Sequence, residues 1–240
     1  MAVPDGSAVF TDVKQIGKLL PQANIRKSPI RSGYSVGHRS ITAGTLGAIV
    51  KKGRKYFLLS NSHVLALSGK GKTGDKVVYP GPDDGGKLPA DLVATLSAFV
   101  PFQVGGDFVN RVDAALAEIV EKRLDDLDFS ILDAKKTLAT IAPARGMTVA
   151  KRGRTTGDTE STVEDVNFRA IIEYGDVGKV GFLDQAFCRR YTGPGDSGAI
   201  VVDKKSGKIV GLHFAGASAG SVFNPIGPVM MALKFKFASE

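Results

Sequence analysis

The chain has one cysteine, no tryptophan and no apolar run approaching 18 residues. Each shortage excludes something. A lone Cys188 can form neither an internal disulfide nor a thiolate zinc cluster, so the fold must be held by its core. Without a long apolar run, a membrane-spanning helix is excluded. The three histidines, His38, His63 and His213, lie far apart with no i,i+4 pair, so no metal site is legible and no cofactor is expected. Asp5, Asp12, Lys14 and Lys18 interrupt any apolar segment near the start, so no secretory signal is expected and the reading is a cytoplasmic protein. The 29 glycines and 11 prolines follow no triplet period, which rules out collagen-like and low-complexity chains.

Charge is unevenly placed. The net charge is +8, and residues 1–75 alone hold twelve Lys/Arg against three Asp/Glu. Lys51, Lys52, Arg54, Lys55, Lys70 and Lys72 are scattered with little aromatic interleaving, the pattern of a solvated face rather than a nucleic-acid surface. No nucleic-acid or membrane partner is expected. A weak, salt-dependent preference for acidic protein segments is.

Short β-type runs recur between Gly, Pro, Asp and Lys clusters: 44–50, 56–60, 76–79, 91–97 and 112–119, then 147–151, 162–166, 168–174, 180–187, 198–203 and 208–214. That spacing predicts an all-β barrel or sandwich rather than βαβ units. Two hairpins are legible, one around KKGRK and one around KKSG. The charged segment 121–138 has no strand period and reads as a connection. Short helices are predicted at 12–20 and 228–236. The expected organisation is an N-terminal extension (1–38), a first β-barrel (39–125), a linker (126–140) and a second β-barrel (141–240). Residues 69–74, GKGKTG, satisfy G-x-G-x-x-G but lead into a strand instead of opening a helix, so they read as a turn. Cys188, within QAFCRR, reads as a small core residue.

The most informative segment is YTGPGDSGAIVV, residues 191–202. A serine enclosed as Gly195-Asp196-Ser197-Gly198, on a turn before a hairpin, is placed as a hydrolase presents its nucleophile. Gly195 lets the backbone curl so that its own N–H and that of Ser197 converge where a tetrahedral oxyanion would sit. Such a serine needs a base, and the base needs a carboxylate to fix its tautomer. LSNSHVLA supplies His63 at the end of a strand, and NRVDAAL supplies Asp113. Asp107 and Asp128 are nearby alternatives; VDAAL, at a strand head, favours Asp113. The order His63, Asp113, Ser197, with spacings of 50 and 84 residues, puts base and carboxylate in the first barrel and nucleophile in the second.

TAGTLGAIV, LSNSHVLA, VDAAL and GDSGA resemble the trypsin-like serine proteases of the chymotrypsin fold. GDKVVYPGPDDGG, NRVDAALAE and KRGRTTGDTES look like the narrow-leaf branch of plants and its bacterial relatives. The resemblance runs from about residue 33 to 228. It implies two six-stranded antiparallel β-barrels with short helical terminal extensions, and a serine endopeptidase acting on protein or peptide substrates. It also implies His63 as base, Asp113 as its orienting carboxylate, Ser197 as nucleophile, and the N–H groups of Gly195 and Ser197 as oxyanion donors. Activation by a freed N-terminus pairing with Asp196 is not expected; the enzyme is active as made, or gated by a regulatory partner or by oligomerisation.

The strand GLHFAG carries His213 and Gly216, and in this fold such a strand walls the specificity pocket. His213 falls where the Glu-specific bacterial proteases and picornavirus main proteases carry a histidine, and Thr192 matches the threonine that shares its duty in the viral enzymes. Tyr191 stands six residues before Ser197, so the carboxylate that binds Lys or Arg in trypsin is missing. Cleavage after Glu or Gln is the expectation. The competing reading is a catalytically silent protease-like module that grips a protein without cutting it, and the intact His, Asp and Ser set argues against it.

Overall fold

The structure, a computed structural model, describes residues 25, 27–132 and 139–239; the helix expected at 12–20 lies outside them. The first half carries β1 (Ile30–Arg31), β2 (Ser35–His38), β3 (Gly44–Thr45), β4 (Ala48–Lys52), β5 (Lys55–Ser60), β6 (Lys76–Val78), β7 (Leu92–Phe99), β8 (Phe108–Asn110), β9 (Ala115–Ile119) and β10 (Leu127–Asp128), with the single-turn helix α1 (Ser62–Leu65) after β5. The second half carries β11 (Thr148–Gly153), β12 (Gly157–Glu173), β13 (Lys179–Cys188), β14 (Ile200–Asp203), β15 (Ile209–Gly216) and β16 (Ser221–Pro225). Helix α2 (Ile226–Leu233) and β17 (Lys236–Phe237) follow.

Two curled sheets result. In the first, β4, β5, β9, β7, β6 and β2 are neighbours in that order. The ring closes because β3 and β4 belong to one extended stretch that changes partner midway. β3 pairs with β2, Leu46 N–H bonds Tyr34 C=O, Gly47 N–H bonds Leu59 C=O, and β4 pairs with β5. In the second sheet β12, β11, β14, β15, β16 and β13 form a six-stranded ring closed by β12 on β13. Strand spacing predicts an all-β barrel or sandwich and the family resemblance a double barrel, and the double barrel is what forms.

Chain segments also cross between the barrels. β8, from the first half, adds to β13 in parallel, and β17 returns to pair with β4. The helix near the C-terminus starts two residues and ends three residues earlier than expected, its end set by Lys234, which adopts φ 53° and turns the chain into β17. The runs at 162–166 and 168–174 are one 17-residue strand, β12, whose register shifts between Val163 and Ala170 interrupt its alternation. Within the charged segment 121–138, Glu121–Asp126 coil into a 3₁₀ turn and β10 pairs with β1.

Burial follows this architecture. Leu46, Leu58, Val77, Val93 and Leu96 fill the first barrel, and Val149, Val163, Ala186, Val201 and Val210 fill the second. A third core lies between them, where Phe57, Leu59 and Leu116 meet Ile200, Leu212 and, from α2, Val229 and Leu233. Each such side chain contributes roughly 1.5–3 kcal/mol when fully buried, so the interface stabilises the fold much as a barrel interior does. A fourth cluster, built on Phe182 and Phe214, lies beneath the far end of the β12–β13 hairpin. The barrels are therefore fixed against each other, which a site built from both requires.

Candidate active site

His63 stands in the single turn α1, which starts as soon as β5 ends because Val64 and Leu65 N–H close on Asn61 C=O. Its ring is partly exposed, with Nδ1 2.6 Å from Asp113 Oδ2. Asp113 is wholly buried. It lies just before β9 rather than in the strand, because its backbone is claimed by side chains: its N–H donates to Asn224 Oδ1 (2.5 Å) and its C=O accepts from Asn61 Nδ2 (2.7 Å). Its Oδ1 accepts the Ser62 N–H at 2.7 Å and the His63 N–H at 3.4 Å. Oδ2 takes the Tyr174 hydroxyl at 2.8 Å beside the His63 ring. Buried polar oxygens cost free energy unless donors meet them, and both Asp113 oxygens are met. Asp107 is exposed and Asp128 bonds Ser130 and Arg31, so neither reaches His63.

Ser197 sits on the turn between Pro194 and Ala199. Gly195 adopts φ +97°, and a Cβ there would lie 2.5 Å from Thr155 Oγ1, so the position requires glycine on both counts. Among the described residues the N–H groups of Gly195 and Ser197 have no acceptor. The Ser197 hydroxyl donates to Phe214 C=O on β15 at 3.3 Å, and no bond joins it to His63. Asp196, between these two donors, points inward. Its Oδ1 accepts Thr155 and Thr156 N–H, and its Oδ2 accepts Gly193 N–H, the Thr156 hydroxyl and Lys151 Nζ. Burial alone would raise the Asp196 carboxyl; the Lys151 charge and those hydrogen bonds outweigh it and hold it below its ordinary value.

His63, Ser197, Thr192, His213, Gly216 and Tyr174 line one cleft of about 820 Å³. His213, on β15, is 2% exposed, and its Nδ1 is a buried atom with no hydrogen-bond partner among the described residues. Burial pushes its pKa down to about 3, so the ring is neutral at ordinary pH. Thr192 Oγ1 lies 2.7 Å from Ser221 Oγ, and a Cβ on Gly216 would come within 2.9 Å of the same Thr192 oxygen. Gly216 thus lets β15 pass close to Thr192. Cys188 is buried in the second barrel, its thiol pushed up to about 12 by burial, which makes it inert.

Lys151 and Tyr174 are the residues that the motifs did not reveal. Lys151 falls on an inward position of β11, between buried Val149 and Gly153. A lysine there needs a buried partner, and that is a readable signal. Tyr174, at a hairpin end, gives none.

No family model and no curated protein sequence matches the chain. Solved structures do. The fold is that of the chymotrypsin-like double β-barrel proteins. Similar structures include a glutamic-acid-specific serine protease that uses a histidine triad in substrate binding, with TM-score 0.59, 16% identity, and coverage of 86% of this chain and 99% of that one. Protease A of Thermobifida fusca gives TM-score 0.58 at 17% identity, covering 88% and 99%. A chymotrypsin of Cellulomonas bogoriensis gives 0.59 at 15%, also covering 88% and 99%. At these identities the likeness is one of fold.

Proposed function

We propose that the protein is a serine endopeptidase. The observation that carries this reading is the 2.6 Å contact of His63 Nδ1 with buried Asp113, at the edge of the cleft that Ser197 also lines. In the reaction Ser197 Oγ attacks the scissile carbonyl carbon while His63 Nε2 takes its proton, and Asp113 stabilises the ring as it becomes charged. The oxyanion is received by the unengaged N–H groups of Gly195 and Ser197. Collapse expels the amine with the proton from His63, leaving an acyl ester on Ser197. A water deprotonated by His63 then hydrolyses the ester and restores the enzyme. Ser197 Oγ must turn from Phe214 C=O toward His63 for the first step, a rotation about one side-chain bond.

Thr192, His213 and Gly216 form the pocket for the residue before the cut, and we assign it Glu or Gln. Kinship with the narrow-leaf branch rests on the sequence motifs quoted above. The parked serine favours one other reading, the catalytically silent binding module. Labelling with a fluorophosphonate probe, followed by mass spectrometry of the modified residue, separates the two. Covalent phosphonylation of Ser197 is expected for the protease, and no labelling for the silent module. Among the described residues no helix is long and apolar enough to cross a membrane.

A further inference from the structure

The carboxylate of Asp113 is served by two barrels. Its Oδ1 takes N–H groups from α1, in the first barrel, and its Oδ2 takes a hydroxyl from the β12–β13 hairpin of the second. Oδ2 is the oxygen that also holds His63 Nδ1. With Asp113 wholly buried, no other donor among the described residues reaches that oxygen. We propose that Tyr174 is a positioning residue of the catalytic triad, its hydroxyl fixing Asp113 Oδ2 and, through it, the His63 ring. The proposal rests on the serine-protease reading above.

The packing gives that hydroxyl little freedom. The Tyr174 ring lies 4.9 Å from Phe102 and 5.6 Å from the His63 ring, centroid to centroid, with Phe182 behind it. Its backbone N–H bonds Gly178 C=O at 3.1 Å and its C=O accepts Val177 N–H at 3.0 Å, so the residue opens a tight turn. Burial, reinforced by the Asp113 charge, raises the phenol well above its ordinary pKa, so the group remains a donor across the working pH range. Lys70 clasps Asp176 from the first barrel, an exposed contact that holds the hairpin end from outside.

A second consequence comes from where Tyr174 is attached. Phe168–Glu173 immediately before it wall the cleft, so one hairpin lines the cleft along its length and meets Asp113 at its end. Substrate binding and His63 alignment thereby share a mechanical element, with no conformational change required to connect them.

The test is Tyr174→Phe in the full chain, which removes the hydroxyl and keeps the ring contacts. With one donor fewer, Oδ2 binds a protonated His63 ring more strongly, and protonation competes with catalysis at higher pH. We expect kcat to fall about 10-fold with KM changed less than twofold, and the acid limb of kcat/KM to move up by several tenths of a pH unit. The His63 Nδ1 proton resonance should move as well, and this NMR signal needs no turnover. In the wild type it should show a cross-peak to the Tyr174 ring protons. An absent cross-peak, or a variant whose resonance and pH profile superimpose on the wild type, overturns the proposal. So does a loss of thermal stability with an unchanged profile, because that is a purely structural role. Failure of Ser197 to label with the fluorophosphonate overturns the protease reading and leaves the resonance test standing.

Discussion

Lys151 and Asp196 form an ion pair at 3.0 Å in which neither side chain is exposed. It joins β11 to the turn that carries Ser197, so that turn is held from beneath by a charge inside the second barrel. Asp196 directly precedes Ser197, and its carboxylate is turned away from the cleft by the cation and by four hydrogen-bond donors. The N–H groups of Gly195 and Ser197 on either side of it have no acceptor among the described residues. A buried pair of this kind adds little net stability against an apolar pair of equal volume, but breaking it leaves an unpaired buried charge.

Lys151→Met should therefore be severe. Removing one partner of such a pair costs roughly 3–5 kcal/mol. The Ser197 turn should also lose its fixed shape, with fluorophosphonate labelling slowed at least 10-fold. Adding Asp196→Asn should recover part of the stability and little of the labelling. Urea unfolding of both variants beside the labelling rate tests this. A single variant within about 1 kcal/mol of wild type would show that the pair does not organise the turn.

The choice among carboxylates is open to a direct comparison. Asp113→Asn should leave His63 in the wrong tautomer and lower turnover by about 10⁴ near neutral pH. Asp107→Asn, at an exposed site, and Asp128→Asn, whose carboxylate bonds Ser130, should change turnover less than twofold. Crippling by Asp128→Asn would mean that the first barrel delivers its carboxylate from the other side of the 3₁₀ turn.

What the sequence revealed and what it hid divide by range. LSNSHVLA, VDAAL and GDSG are local strings, each set by what one side chain needs from its immediate neighbours, so they single out His63, Asp113 and Ser197 as candidates, of which the structure brings His63 onto Asp113 and into one cleft with Ser197. The barrels were legible because alternating runs between turn residues leave few other folds. Tyr174 was hidden because its hydroxyl meets Asp113 across 61 residues, through a hairpin whose length the interrupted alternation of β12 concealed. Asn224 and Asn61, which seize the backbone of Asp113, look like any loop or strand-end asparagine until the barrels are closed.

His213 should leave a signature in acid stability. Its pKa lies near 3 in the folded protein against 6.5 ordinarily, because burial disfavours the charged ring. Between those values the unfolded chain binds more protons than the native one, so stability is complete above about pH 6.5 and declines as pH falls toward 3. One such group contributes a slope of at most about 1.4 kcal/mol per pH unit. In urea titrations at pH 7.0, 5.5 and 4.5, His213→Gln should show a shallower acid decline than wild type. Parallel declines would mean that the ring titrates alike in the folded and unfolded chain.

A cleavage preference for Gln is predicted from the same ring. A pocket of neutral donors discriminates against side chains that leave those donors unpaired, by roughly 1–3 kcal/mol for each buried loss. His213 is neutral and lines the cleft, its ring also hydrogen-bonded to the Val222 backbone, and the neighbouring Thr192 oxygen is shared with Ser221. Such a pocket satisfies the amide of Gln without an ion to balance. A Glu carboxylate would have to find its counter-charge at Arg169 or Arg190, exposed residues at the cleft that solvent screens. Lys and Arg would bring a charge with no carboxylate to receive it. Digestion of a denatured proteome near pH 7.5, with cut sites read by mass spectrometry, should give cleavage after Gln ahead of Glu by about 10-fold. His213→Ala should flatten that preference. Cuts concentrated after Leu, Phe, Lys or Arg would refute the pocket assignment and leave the triad untouched, and a Glu preference that disappears in 0.5 M salt would transfer the recognition from His213 to the two arginines.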